Sequence, residues 1–261
     1  MLFYILLFSQ FLFSSDFSSQ PIWADEFNVE GLPDPTKWSY DVGRGAEGWG
    51  NKELQYYTDK RAENAYVSNG TLKIRAIKEA YEGSEYTSAR LVSKNKGDFR
   101  YGRFEVRARV PEGRGTWPAA WMLPTDKKYG GWPKSGEIDI LEHVGYDPDV
   151  VHISVHTQDY HHSIGTQKTA FRKIDDARSK FHTYRVDWTP THIRGFVDDV
   201  QLFEFKNEGK GPNAWPFDQS FHWILNLAVG GNWGGQKGLD EAAFPAEYEV
   251  DYVRVYAYEG Q

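Results

Sequence analysis

Three carboxylates stand within six residues in the stretch GEIDILEHVG, residues 136–145: Glu137, Asp139 and Glu142. No basic residue separates them, so each raises the proton affinity of the others. A strand that needed only solubility would alternate its apolar residues with Lys, Thr or Ser. The electrostatic cost therefore implies a use. Close carboxyl pairs cleave glycosidic bonds with retention, one attacking the sugar and the other acting first as acid and then as base. By themselves, three acids are read equally well as an acidic surface strand or a calcium-binding edge.

The local pattern says how such acids could share one surface. Side chains alternate along a strand, so Glu137 and Asp139 lie on one face while Ile138 and Ile140 enter a core. Strict alternation would put Leu141, not Glu142, beside the first two acids. Burying Glu142 unpaired costs several kcal/mol. A β-bulge at Ile140–Leu141 takes up one residue and returns Glu142 to the acidic side. The segment VHISVHT (151–157) is the expected neighbour of this strand.

The elements that must hold the acids are strands. Alternating segments rich in Val, Ile, Phe and Tyr recur at 71–78, 101–110, 151–157, 182–189, 192–205, 221–229 and 248–258, each bounded by Gly, Pro, Asn or Asp. Asp198-Asp199 reads as a hairpin turn, and DDARSKF (175–181) as one short helical turn. With no helical periodicity and no βαβ rhythm, the pattern predicts an all-β chain: one antiparallel sandwich domain.

Composition narrows the partners. Ten Trp and sixteen Tyr exceed what a core alone would ask for, so part of them is free to line a groove, where flat rings suit the C–H faces of sugars. The formal charge is −7 with scattered Lys and Arg, which disfavours duplex nucleic acid and anionic membranes and favours a neutral polymer. The absence of Cys rules out disulfides and thiolate zinc sites. No HExxH or HxH spacing occurs, and His161-His162 reads as a loop feature. MLFYILLFSQFLFSS is an apolar run of export-signal length, broken by Ser and Gln and so too interrupted to span a membrane. Residues 1–20 are read as a signal peptide and 21–261 as the mature domain, secreted to the periplasm or beyond the cell.

The acidic motif resembles the Glu-x-Asp-x-x-Glu signature of glycoside hydrolase family 16 in its bulged form. WADEFN, GWGNKELQYYTD, SARLVSK, YGRFEVRARVPEGRGTWPAAWMLP, NLAVGGNWGG and YEVDYVRVY are similar to the laminarinase branch, the endo-1,3-β-glucanases, in the family's order from about Ile22 to Tyr258. The resemblance implies a β-jelly-roll sandwich of two antiparallel sheets with a concave substrate cleft. It implies endo-hydrolysis of 1,3-β-D-glucan with retention, and a possible side activity on mixed 1,3-1,4-glucan. Glu137 matches the nucleophile, Glu142 the acid/base and Asp139 the assisting carboxylate. A non-catalytic glucan-binding protein and a transglycosylase share the fold; the presence of both Glu137 and Glu142 argues against the first.

The same resemblance assigns Asn51, two residues from Glu53 and on its face, to the sugar on the non-reducing side, and Arg90 to the cleft. Trp117 and Trp121 line subsites beside the nucleophile; their spacing of four is read as requiring a loop or bulge between them. Trp233 lies in a Gly-rich loop as a sugar platform, loosened by Gly234 where the related pattern often has Pro. His156 is expected beside the acid/base, hydrogen-bonding Glu142, and His143 is expected to face away from the groove. No cofactor is implied for catalysis. One structural Ca²⁺ is implied on the convex face, with Glu26, the Gly70 carbonyl and Asp251 as oxygen ligands. The enzyme is expected to act as a monomer on β-glucan.

Overall fold

The computed structural model describes residues 16–260; the apolar run at 1–15 lies outside the described residues. Two sheets carry the fold. The larger has ten strands, with a main path through Val200–Lys206, His192–Val197, His182–Trp188, Gly102–Arg109, Ala246–Tyr256, Thr71–Tyr81, Ser84–Ser88 and Gln55–Tyr57. The smaller has eight, ordered Lys168–Lys173, Val150–His156, Glu137–His143, Thr116–Pro124, Phe221–Val229, Arg90–Val92 and Ser39–Tyr40, with Asp98–Phe99 beside Phe221–Val229. All pairings but one are antiparallel. The exception joins Gln55–Tyr57 to Ser84–Ser88 in parallel, which the expectation of purely antiparallel sheets did not contain.

Alternation decides which face each residue takes. In Gly102–Arg109, Phe104, Val106 and Ala108 are fully buried, while Arg103, Glu105, Arg107 and Arg109 lie partly exposed on the outside. The inward residues meet Ala120, Met122, Ile138, Ile140, Leu225 and Leu227 of the smaller sheet in one continuous core. Outside, the larger sheet carries arginine–carboxylate pairs: Arg103 with Asp187 at 2.8 Å and Arg109 with Glu249 at 2.7 Å. Each such pair is worth about 0–1 kcal/mol, so the core rather than the outer lattice holds the sheets together.

The central strand of the smaller sheet, Phe221–Val229, is buried at every position. Phe221, Trp223, Leu225 and Leu227 belong to the core cluster, while Asn226 and Ala228 floor a groove on the opposite face. The hairpin between His192–Val197 and Val200–Lys206 turns at Asp198 and Asp199, both at positive φ (46° and 65°), the backbone of a two-residue primed turn. Residues 175–181 form turns rather than a helix. Before the first strand, Phe17 bridges Tyr258 and Ser18 N–H donates to the Ala257 carbonyl at 2.9 Å. Among the described residues no helix is long and apolar enough to cross a membrane.

Candidate active site

The bulge is present where the alternation demanded it. Along one neighbour, Ala120 pairs with Leu141 and Trp121 with Asp139, skipping Ile140; along the other, Asp139 pairs with Ser154 and Glu142 with His152. Ile140 and Leu141 are both fully buried. One extra residue thus turns Glu142 onto the face of Glu137 and Asp139, and all three line one hollow of about 590 Å³. Glu137 and Glu142 also line an adjoining hollow of about 580 Å³.

Each glutamate is held by an indole. Trp132 Nε1 donates to Glu137 Oε2 at 3.0 Å, and Trp117 Nε1 donates to Glu142 Oε1 at 3.1 Å. Burial, then the charge of Asp139, pushes the pKa of Glu137 up to about 8, against the pull of His156 and the Trp132 N–H. Glu142 is pushed to about 8 by the same two causes in the same order. Asp139, at 2% exposure, is raised well above the usual carboxylate range by burial. The cluster therefore carries fewer than three negative charges at neutral pH, and its protons leave as a coupled set. An ionised carboxylate beside a protonated one can attack a sugar and protonate its leaving oxygen.

His156 does not sit where the resemblance put it. It pairs across the strands with Glu137, and its Nε2 lies 3.4 Å from Asp139 Oδ2 and 3.7 Å from Glu137 Oε1. The register is the reason: His156 stands opposite Glu137, ahead of the bulge, and His152 stands opposite Glu142 beyond it. His143 is fully buried away from the groove, with Nδ1 2.9 Å from the Val150 carbonyl oxygen.

One arm of the groove holds Asn51, Glu53, Arg90 and Trp121. Buried Glu53 accepts from Asn51 Nδ2 (3.2 Å), Gln55 Nε2 (2.7 Å) and Tyr57 OH (3.2 Å). Tyr57 OH in turn accepts from Asn226 Nδ2, whose Oδ1 takes the Trp121 indole N–H at 2.7 Å. The chain of bonds fixes the floor in one arrangement. Arg90 is ion-paired to Asp41 at 3.0 Å and lies between the rings of Trp49 (4.6 Å) and Trp121 (4.8 Å). The spacing of Trp117 and Trp121 needs no loop between them, a correction to the sequence reading. Thr116–Pro124 runs unbroken against Phe221–Val229, and with a period of two, residues four apart share a face. Trp233 packs edge-on to Trp117 at 5.4 Å, at the mouth of the other arm.

Two of the three oxygen donors offered to calcium, Glu26 and Asp251, are ion-paired to arginines. Glu26 is held by Arg254 through both carboxylate oxygens (2.7 and 2.8 Å), and Asp251 is paired to Arg107. A guanidinium on each carboxylate supplies the positive charge a cation would bring. Among the described residues the one cluster of three metal-capable side chains is Glu137, Asp139 and His156, in the groove rather than on the convex face.

Sequence reasoning missed Trp132, His162, Trp49 and Asn226, all of which line the groove. Trp132 stands in YGGWPKSGE, a Gly- and Pro-flanked loop, and is 42% exposed. The argument applied to Trp233, that a bulky ring in such a loop has little packing reason to exist, would have found it. His162 packs against Trp132 at 5.1 Å and His156 at 5.3 Å, so the histidine pair is more than a loop feature.

A β-sandwich with carboxylates gathered in a tryptophan-lined groove is the architecture of a class of glycoside hydrolases. The model of Glycosyl hydrolases family 16 matches residues 51–254, and the chain belongs to that family. It is 59% identical over 242 residues to a beta-glucanase of Rhodothermus marinus, an alignment covering 90% of this chain and 84% of the relative. It is 39% identical over 253 residues to a glucan endo-1,3-beta-glucosidase of Cryptopygus antarcticus, covering 89% and 90%. Its fold matches the X-ray structure of the laminarinase from Rhodothermus marinus with a TM-score of 0.90 at 57% identity, over 92% of this chain and 97% of that one. The chain is a glycoside hydrolase with the family's jelly-roll fold.

Proposed function

We propose that this enzyme cleaves 1,3-β-D-glucan of the laminarin type within the chain, by a retaining double displacement. The observation that carries the reading is the bulge, which gathers Glu137, Asp139 and Glu142 on one groove face with an indole N–H on each glutamate. Glu137 is the nucleophile: its carboxylate attacks the anomeric carbon while Glu142 protonates the departing oxygen. Glu142, then ionised, takes a proton from the water that hydrolyses the glycosyl ester. Asp139, the most buried of the three, shares the cluster's protons, and its negative charge when ionised raises Glu142 so that it begins protonated. Asn51, Glu53, Arg90, Trp121 and Trp49 hold the sugars on the non-reducing side.

The similarity to a beta-glucanase and an endo-1,3-beta-glucosidase supports this substrate, and cleavage of mixed-linkage glucan is its natural side activity. Digestion of laminarin, lichenan and agarose side by side, with sizing of products, tests the choice. Internal products from laminarin first, slower ones from lichenan and none from agarose are expected. Proton NMR of the first product should show the β-anomer; an initial α-anomer contradicts the mechanism.

The same reading has the protein exported and acting as a monomer. The export leader of this reading is residues 1–20, with the mature enzyme beginning near Gln20. A structural calcium on the convex face would require Arg254 and Arg107 to release Glu26 and Asp251. Mass analysis of the secreted protein's N-terminus and metal content checks both points.

A further inference from the structure

Glu142, His152 and Phe171 occupy one cross-strand row: Glu142 pairs with His152, and His152 with Phe171 on the outermost strand, Lys168–Lys173. Neighbouring strands lie about 4.8 Å apart, so Phe171 stands about 10 Å from the catalytic strand. The rings form a continuous path. Trp117, which donates to Glu142, meets Trp233 at 5.4 Å; Trp233 meets His152 at 4.9 Å; His152 meets Phe171 at 5.6 Å. Phe171 is 68% exposed, an apolar ring on an outer strand with no core to fill. Around this path the hollow offers neutral polar groups, among them Gln167, Asn232 and the hydroxyl pair Ser154–Thr169, joined at 2.9 Å. Burial pulls the His152 pKa down to about 4, so its ring is uncharged at neutral pH. Flat apolar surface rimmed by uncharged donors and acceptors suits a neutral sugar chain and nothing strongly ionic.

In the proposed endo-cleavage the glucan beyond the scissile bond occupies the arm floored by Trp233 and His152; resting on that activity, we infer that Phe171 is the outermost sugar platform of this arm, lying under the distal sugar and setting the preference for long chains. An acceptor held there also competes with water for the glycosyl ester on Glu137. Its hydroxyl oxygen bonds to the anomeric carbon, and the ester C–O bond breaks to release the Glu137 carboxylate. The hydroxyl proton passes to the Glu142 carboxylate. Transfer products longer than the substrate follow from the same arm that improves binding of long chains.

The test compares wild type, Phe171→Ala and Phe171→Trp on a laminarin hexasaccharide and on an aryl laminaritrioside, whose leaving group is too short to reach Phe171. Phe171→Ala should lower the ratio of kcat/KM on hexasaccharide to that on the aryl substrate about five-fold, and should cut the proportion of products longer than the substrate by a similar factor. Phe171→Trp should restore both. Unchanged ratios and transfer in Phe171→Ala, with wild type cleaving laminarin, overturn this inference alone. A wild-type enzyme that leaves laminarin intact overturns the proposed function and this inference with it.

Discussion

Trp132 donates its indole N–H to Glu137 Oε2 across 3.0 Å. The two residues are five apart in sequence, on a loop and at the start of a strand. The bond favours the ionised form of the glutamate, opposing the burial and the Asp139 charge that push its pKa up to about 8. A nucleophile must be ionised to attack, so this contact bears directly on the acidic side of the pH–rate profile.

Trp132→Phe should therefore move the acidic limb of kcat/KM to higher pH. A hydrogen bond to a charged group contributes roughly 1.5–3 kcal/mol, and about 1.4 kcal/mol corresponds to one pKa unit. Discounted for the exposure of Trp132, the shift is about half a unit to one unit. The limb's position, measured on laminarin from pH 4 to 9, separates this effect from a mere loss of sugar contact, which would lower the whole profile without moving it.

The acidic cluster also sets a stability trend. The folded-state pKa values of Glu137, Asp139 and Glu142 lie above their unfolded values, so the stability they contribute is complete below about pH 4 and is lost as pH rises, through about 8 for the two glutamates. The buried imidazoles of His143, His152 and His222 have the opposite sign, but above about pH 6.5 they are neutral in both states and drop out. Between pH 7 and 9 stability should fall, by up to about 1.4 kcal/mol per pH unit for each titrating group. Asp139→Asn removes one buried acid and its repulsion on both glutamates, and should flatten the decline. Thermal melts of the two proteins across this range check it; equal slopes would contradict the clustering.

Glu142→Ala and deletion of Ile140 separate chemistry from geometry. With Glu142 gone, laminarin cleavage should fall at least about a thousand-fold, while an aryl glycoside with a good leaving group still loads Glu137. Azide should then restore turnover and give a β-glycosyl azide, since a small anion fits where the carboxylate stood. Deleting Ile140, the residue the pairing skips, should abolish both activities without azide rescue, because everything beyond it changes face. Equal loss on both substrates in Glu142→Ala, with no rescue, would make Glu142 structural and Asp139 the next proton donor to test.

What was legible in the sequence was what period and burial dictate. Glu142 could not follow strict alternation into the core, so a bulge at Ile140–Leu141 was required, and the pairing contains it. The same logic, misapplied, separated Trp117 from Trp121 although a period of two unites them. Partners set by loops and by register were not legible. Trp132 reaches Glu137 from a loop, and His156 meets Glu137 and Asp139 because the strand register sets it opposite Glu137. Nor did separate motifs reveal that Arg254 and Arg107 take Glu26 and Asp251, since those pairs depend on which strands become neighbours.

The assignment of Glu137 as nucleophile is tested most directly by trapping its ester. A 2-deoxy-2-fluoro laminaribioside with a good leaving group should form the glycosyl-enzyme quickly and release it slowly, and mass analysis of digested protein locates the label. The account predicts one added 2-fluoro-laminaribiosyl group, two sugar units, on the peptide holding residues 136–145, with fragmentation assigning it to Glu137, and none in Glu137→Ser. Label on Asp139 or Glu142, or full inactivation of Glu137→Ser at the wild-type rate, would contradict it.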